Sequence, residues 1–311
     1  MSAGPERNLE LEAAIAADPE ARGGYEVYAD WLAQRGDPRG ELIAVQLARE
    51  DRPLDAWLAK RETELLVDHG GTWLGGLDGP SWPGPPIEVE WERGFVTSAI
   101  IPTGYQSEDA AFTYRAFAAL PSAALVRELA LGVACTYGGG GEDDVSILEA
   151  LHDCPLPIVK KLALREFEHQ ISWTHVGDIS IAGLGYLDEL HISAGRITLG
   201  AIDLPRLRRL RLESGGLRAH VLASVTSARW PMLEELDVYI GTPDYGGTCT
   251  LNDVLPILAG TNLPRVTSLG VRNSPFADEL VARLVDAPIL PRLTSLDLQY
   301  GTMVITTFHR T

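Results

Sequence analysis

The sequence predicts an α/β solenoid, an irregular leucine-rich-repeat horseshoe with a parallel sheet, preceded by an N-terminal helical capping module. Three observations predict it. An L-x-x-L-x-L pattern recurs seven times after residue 120, helical periodicity fills residues 8–69, and a Gly/Pro-rich stretch divides the two. With 311 residues, 45% of them apolar, the chain has material for an extended core.

The helical part comes first. Leu9, Leu11, Ile15 and Ala16 form a short apolar stripe that stops at Asp18-Pro19. Tyr25, Tyr28, Ala29 and Leu32 recur at helical spacing, and Gly36 is placed to end that helix. Asp37-Pro38 then reads as a cap followed by proline at the first helical position, opening a helix with Leu42, Val45, Gln46 and Arg49. A fourth helix is expected from about Pro53 to His69, ending at Gly70-Gly71. Ten of the 17 residues at 70–86 are Gly or Pro, which predicts a joint between a module at 1–86 and a solenoid at 87–311. Five of the seven tryptophans (Trp31, Trp57, Trp73, Trp82, Trp91) lie in this first third, so the module is expected to have an aromatic core of its own. Two strand-like runs follow at 87–91 and 95–101, around the hairpin-length turn Glu92-Arg93-Gly94.

The repeat decides the fold. Its middle leucines are Leu129, Leu162, Leu190, Leu210, Leu236, Leu269 and Leu296, separated by 33, 28, 20, 26, 33 and 27 residues. Pro157, Pro205, Pro231, Pro264 and Pro291 precede five of the copies, and Val96, Ala99 and Ile101 make a weaker eighth. L-x-L is a short strand with its aliphatics turned inward, and a single unit cannot bury that face alone, so units must stack. Returns at 107–120, 143–151, 252–259 and 276–285 read as helices, the last capped by Ser274-Pro275, whereas the 20-residue unit predicts an extended return. Where leucine-rich repeats usually place a buried Asn, this chain has Ala134, Phe167, Gly195, Gly215, Gly241, Ser274 and Gly301. Glycine turns are therefore expected to close the corners.

The strings Tyr28-Ala29-Asp30-Trp31-Leu32, Arg35-Gly36-Asp37-Pro38-Arg39-Gly40-Glu41 and Gln46-Leu47 resemble the repeat-companion domain of myxobacterial and planctomycete proteins. The run Glu88-Val89-Glu90-Trp91-Glu92-Arg93-Gly94-Phe95-Val96 is similar to the strand that follows it in myxobacterial members. The resemblance spans roughly residues 9–101 and departs at 21–24, where members often carry more acidic residues. It implies a bacterial, repeat-associated protein and no particular reaction.

Charge narrows the partners. Against 26 basic residues stand 43 acidic ones, a net −17; residues 1–93 hold 19 acidic and 9 basic of these. That field repels phosphate backbones and argues against nucleic acid. No apolar run suits a membrane span, and the first residues lack a secretory pattern. Three cysteines, Cys135, Cys154 and Cys249, with no CxxC spacing predict a reduced, cytoplasmic protein.

Catalytic chemistry finds no convergent set. Asp30, Asp37 and Glu41 are close in sequence, but Asp37 reads as a cap and Asp30 as a partner for Arg35 or Arg39. His169 and His175 flank Trp173 near Glu166 and Glu168 without a metal-ligand spacing, and read as residues of a return segment. Glycines 138–141 followed by Glu142, Asp143 and Asp144 resemble a phosphate loop but lack its lysine, and their carboxylates oppose phosphate. No catalytic residue, metal or cofactor is expected.

The remaining surface is the one the strands generate by alternation. It carries Glu128, Lys161, Arg165, Glu189, His191, Arg209, Arg211, Glu213, Glu235, Asp237, Tyr239, Arg272, Asp297 and Gln299. Basic bands at Lys161/Arg165 and Arg209/Arg211 and an acidic band at Glu235/Asp237 are expected, with Tyr239 and its neighbouring arginines as binding anchors. The expectation is a non-enzymatic scaffold that recognises a protein partner on this concave face. Its competitors are an enzyme or enzyme subunit with a site around Asp30, Asp37 and Glu41, or an acidic immunity or decoy protein that neutralises a basic partner.

Overall fold

The computed structural model describes residues 7–79, 82, 86–103, 108–133, 146–156, 158–165 and 174–302. It opens with four helices: α1 (Leu9–Ala17), α2 (Arg22–Ala33), α3 (Arg39–Asp51) and α4 (Ala56–Trp73). Asp37 caps α3 as expected, its Oδ1 accepting the Arg39 N–H at 2.9 Å. The fourth helix differs from expectation at both ends. It starts after Asp55, whose Oδ1 accepts the N–H groups of Trp57 and Leu58, and it runs through Gly70-Gly71 to Trp73. Tertiary packing overrides the weak glycine propensity there, because the Trp73 ring lies 5.7 Å from that of Trp91. The helical segment therefore crosses into the stretch expected to be a joint.

The sheet follows: β1 (Glu88–Glu92), β2 (Phe95–Ile101), β3 (Glu128–Gly132), β4 (Lys161–Arg165), β5 (His175–Asp178), β6 (Glu189–Ser193), β7 (Arg196–Thr198), β8 (Arg209–Glu213), β9 (Glu235–Tyr239), β10 (Ser268–Arg272) and β11 (Ser295–Asp297). Nine of these form one open sheet in the order β1-β2-β3-β4-β6-β8-β9-β10-β11. Only the β1–β2 hairpin is antiparallel; every later pairing in that sheet is parallel. The architecture is mixed α/β around a large, mostly parallel sheet.

Register follows the sequence pattern. Ala99, Leu129, Leu162, Leu190, Leu210, Leu236, Leu269 and Leu296 stand one per strand, each paired with the next. Helices α5 (Glu108–Ala118), α6 (Ser146–Asp153), α7 (Ala219–Ser227), α8 (Leu251–Ala259) and α9 (Ala277–Leu284) return the chain between strands. The short unit returns through β7, paired with β5, so its extended return is realised. Helix α7 lies in a Ser/Thr/Val-rich run of weak propensity, which hid it from the sequence reading. Gly241 takes a left-handed conformation (φ 69°), and its N–H reaches the Asn273 carbonyl at 2.9 Å, closing one corner by backbone alone. Ala134, Pro157, Phe167, residues 138–144, Cys135 and the residues after 302 lie outside the described residues.

The main core runs from Leu74 to Ile289 along the inner face of the sheet. A second core joins Ile15, Tyr25, Tyr28, Leu32, Ile43 and Leu47 to Phe95 and Leu125. The aromatic centre of the module is thus Tyr25, Tyr28 and Phe95 rather than its tryptophans; Trp57 is 67% exposed. Polar clamps seat the helices on the hairpin turn. The Gly94 N–H donates to Gln46 Oε1 at 2.7 Å, and Arg93 donates to Glu50 at 2.7 Å and to the carbonyls of Pro19 and Glu20. Arg39 is 2% exposed, lies over the Tyr28 and Phe95 rings and donates to Tyr28 Oη at 3.3 Å. Gly94 has φ 74°, and a Cβ there would collide with Ile43.

Candidate functional site

Alternation sends two aligned rows of side chains to the outer face of the sheet. Residues directly opposite each other in paired strands share a face. The first row therefore reads Glu90, Ser98, Glu128, Lys161, Glu189, Arg209, Glu235, Ser268, Ser295. The second reads Glu88, Ile100, Ala130, Ala163, His191, Arg211, Asp237, Gly270, Asp297. Glu88, Glu90, Ser98 and Ile100 were not among the residues singled out from the repeats. The signal for Glu88 and Glu90 is the alternating Glu-Val-Glu-Trp-Glu run of β1, and Ser98 and Ile100 face them across the hairpin.

Over β2–β4 the second row is small and apolar. A groove of about 430 Å³ lies there, floored by Ile100, Ala130 and Ala163 and bordered by Glu128, Lys161, Glu189, His191, Arg209, Arg211 and Glu235. Its rim is already paired: Lys161 Nζ meets Glu128 at 2.7 Å, and Arg209 meets Glu189. The Glu128 hydrogen bond raises the Lys161 pKa above its ordinary value, so the amine stays charged. Because the first row alternates in sign, the expected basic bands are neutralised across neighbouring strands.

Over β8–β11 the second row and a third, which carries Glu213, Tyr239 and Arg272, hold charged and aromatic groups that satisfy one another. Tyr239 Oη accepts from Arg211 at 3.0 Å and from Arg272 at 3.2 Å, and both guanidinium carbons sit 5.4 Å from its ring centre. Arg272 pairs with Asp237 and with Asp297, each at 3.0 Å. Glu213 meets His191 Nε2 at 2.9 Å and pairs with Arg211. Partial burial opposes the Glu213 charge, but hydrogen bonds from His191 and Arg211 outweigh it and bring the carboxyl down to about 2. Asp237 behaves in the opposite way: burial pushes its carboxyl up, against the attraction of Arg272 and Arg211.

Asp237 is only 4% exposed and thus unavailable to a partner, contrary to expectation. It lies over Gly270 of the next strand, where a Cβ would collide with Asp237 Oδ1. Arg165 and Arg272 are half-buried, and Gln299 is exposed just past β11, with its N–H donating to Asp297 at 2.9 Å.

The N-terminal carboxylates do not converge. Asp37 caps α3, Glu41 pairs with Arg61 of α4 at 2.6 Å, and Asp30 is exposed. Arg39, expected as a partner for Asp30, is turned inward onto Tyr28. His175 is buried at the start of β5; Glu166, Glu168, His169 and Trp173 lie outside the described residues. Among the described residues, no group of three or more His, Cys, Asp or Glu could hold a metal ion. Burial pushes the Cys249 thiol up to about 12, which keeps it protonated and a poor nucleophile. No helix of the described residues is long and apolar enough to cross a membrane.

No protein-family model and no curated protein matches the chain. Among solved structures it is similar to a Bacteroides fragilis protein determined by crystallography, with 25% identity and a TM-score of 0.51. The match covers 58% of this chain and 52% of the other, so the chain spans about half the length of that protein. The likeness extends to the arrangement of elements over that portion and carries no activity with it.

Proposed function

We propose that the chain is a leucine-rich-repeat solenoid with an N-terminal repeat-companion cap, acting as a non-enzymatic protein–protein interaction scaffold on the concave side of its sheet. The observation that carries this reading is the groove of about 430 Å³ over Ile100, Ala130 and Ala163, set in a face whose rows stay in register across nine strands. At about 4.8 Å per strand such a row is about 38 Å long, the scale of a protein footprint. Stacked repeats commonly bind along such a face. Apart from Glu235, the charged groups around the groove are held in ion pairs rather than poised beside one another as acid and base, which favours recognition over catalysis. The free thiols Cys154 and Cys249 fit a reducing, cytoplasmic setting.

The test is a bulky side chain on the floor. Ala163→Trp fills the groove from the solvent side, whereas Glu279→Lys alters an exposed position of α9 as a control. Quantitative co-purification from the source cells should show the captured partner reduced at least tenfold by Ala163→Trp and unchanged by Glu279→Lys. Equal capture by the Trp variant, with its thermal unfolding intact, would sink the reading.

A further inference from the structure

We infer that the groove receives a cationic segment of the partner, with lysine or arginine side chains on Glu88 and Glu90 and an aliphatic side chain on the Ile100–Ala130–Ala163 floor. The inference rests on the scaffold reading and specifies the chemistry of its partner.

The pairing pattern of the face carries it. Lys161, Arg209, Arg211 and Arg272 each meet a carboxylate within 4.0 Å, so these cations are taken. Glu88, Glu90 and Glu235 have no ion-pair partner among the described residues. The surplus on this face is therefore negative. Two of the three open carboxylates stand on one strand, about 7 Å apart as alternate strand residues are. Both are exposed.

Geometry connects them to the apolar floor. A depression of about 360 Å³, where Glu90, Glu92 and Glu128 stand with Arg127, Lys160 and Lys161, shares its Ser98, Glu128 and Lys161 walls with the groove; Arg127 is paired with Glu92 and Lys161 with Glu128, which leaves Glu90 beside Lys160. Glu88 and Ala163 belong to one row, three strand steps or about 14 Å apart. An extended peptide covers that distance in about four residues. The recognised segment thus carries basic residues and, about four positions away, an aliphatic one. The net charge of −17 steers such a segment toward the chain and repels acidic competitors.

A fluorescent nonapeptide serves as the probe: two adjacent arginines, a leucine four residues after them, and a serine background. Fluorescence polarisation with the full chain should show saturable binding that weakens at least tenfold when both arginines become glutamate, and several-fold when the leucine becomes serine. Added salt at 0.5 M should also weaken it, since the contacts are solvent-exposed. The double variant Glu88→Gln/Glu90→Gln should lose at least fivefold, while Glu234→Gln, outside both rows, should bind as the unsubstituted chain does. No binding of the arginine peptide, equal binding by the double variant, or preference for the glutamate peptide each overturns the inference. The two readings separate cleanly in the co-purification assay. Capture lost with Ala163→Trp but kept with Glu88→Gln/Glu90→Gln leaves the scaffold standing and removes the cationic segment. Capture kept with Ala163→Trp removes the scaffold itself.

Discussion

The two halves of the outer sheet face share one register and differ in what they place in it. Over β2–β4 the second row is Ile100, Ala130 and Ala163, and the face opens into a groove. Over β8–β10 the same row is Arg211, Asp237 and Gly270, and the face closes on itself through Tyr239. The backbone is the same in both. Charge on the second row, met by Glu213, Tyr239 and Arg272 two residues further along the strands, decides whether a surface remains available or is consumed by its own contacts. An inventory of charged residues therefore overstates how much of the second half is open and overlooks the groove of the first.

The largest expected effect comes from breaking the closed half. Asp237→Ala removes the buried carboxylate between Arg272 and Arg211 and leaves each guanidinium with a single carboxylate, Asp297 and Glu213 respectively. Losing one partner of a fully buried ion pair costs about 3–5 kcal/mol. Here Arg211 and Arg272 keep some solvent access, so a loss of about 2 kcal/mol is expected in urea unfolding. Ala163→Ser, in the same row of the open half, should change stability by less than about 0.5 kcal/mol. Equal costs for the two substitutions would erase the distinction between the halves.

Acid titration gives a smaller and more specific contrast. Glu213 has a folded pKa of about 2 against an ordinary 4.5, so it contributes stability that is complete above pH 4.5 and is lost as pH falls toward 2. Asp237, raised above its ordinary 3.8, works the other way: it binds its proton more tightly when folded, so its contribution is present at low pH and fades as pH rises through the folded value. Glu213→Gln should therefore flatten the acid limb of the stability profile between pH 4.5 and 2. Asp237→Asn should instead steepen the profile just above pH 3.8, where the folded carboxyl takes up its proton ahead of the unfolded one. Opposite slopes from two carboxylates in one cluster are the signature to look for in thermal unfolding followed against pH.

Tyr239→Phe is the mildest probe. It deletes the hydroxyl shared by Arg211 and Arg272 but keeps the ring beneath both guanidinium groups, for a loss of about 1 kcal/mol. A loss well above that value would mean that Tyr239 organises the cluster rather than completing it.

Much of this arrangement was legible in the amino-acid order. The spacing of Leu129 through Leu296 gave the parallel pairing and its register, because only that alignment buries every L-x-L pair together. Helix α7 escaped, since its Ser, Thr and Val residues carry little intrinsic helical preference and tertiary packing supplies the rest. The end of α4 was misread for a related reason: two glycines predict a stop, yet Trp73 finds Trp91 beyond them. The site was half legible. Which side chains face outward follows from alternation; which of them are already engaged depends on neighbours 20 or more residues away in the chain, as with Arg209 and Glu189. Asp237 shows the limit most plainly. Its charge marks it as surface, but Gly270 on the next strand makes room for it to lie flat and be covered.

The clamp of Gln46 and Arg93 on the hairpin turn has a consequence for where this molecule divides. Phe95 stands in the core of the helices and Leu125 joins it, so a cut in the Gly/Pro-rich stretch would strip the helical module of its central ring and expose the first parallel strands. The smallest piece able to hold itself together at this end runs past the hairpin, not up to it. Pulled from its N-terminus, the chain should resist until helices and hairpin let go as one unit, and only then give way strand by strand.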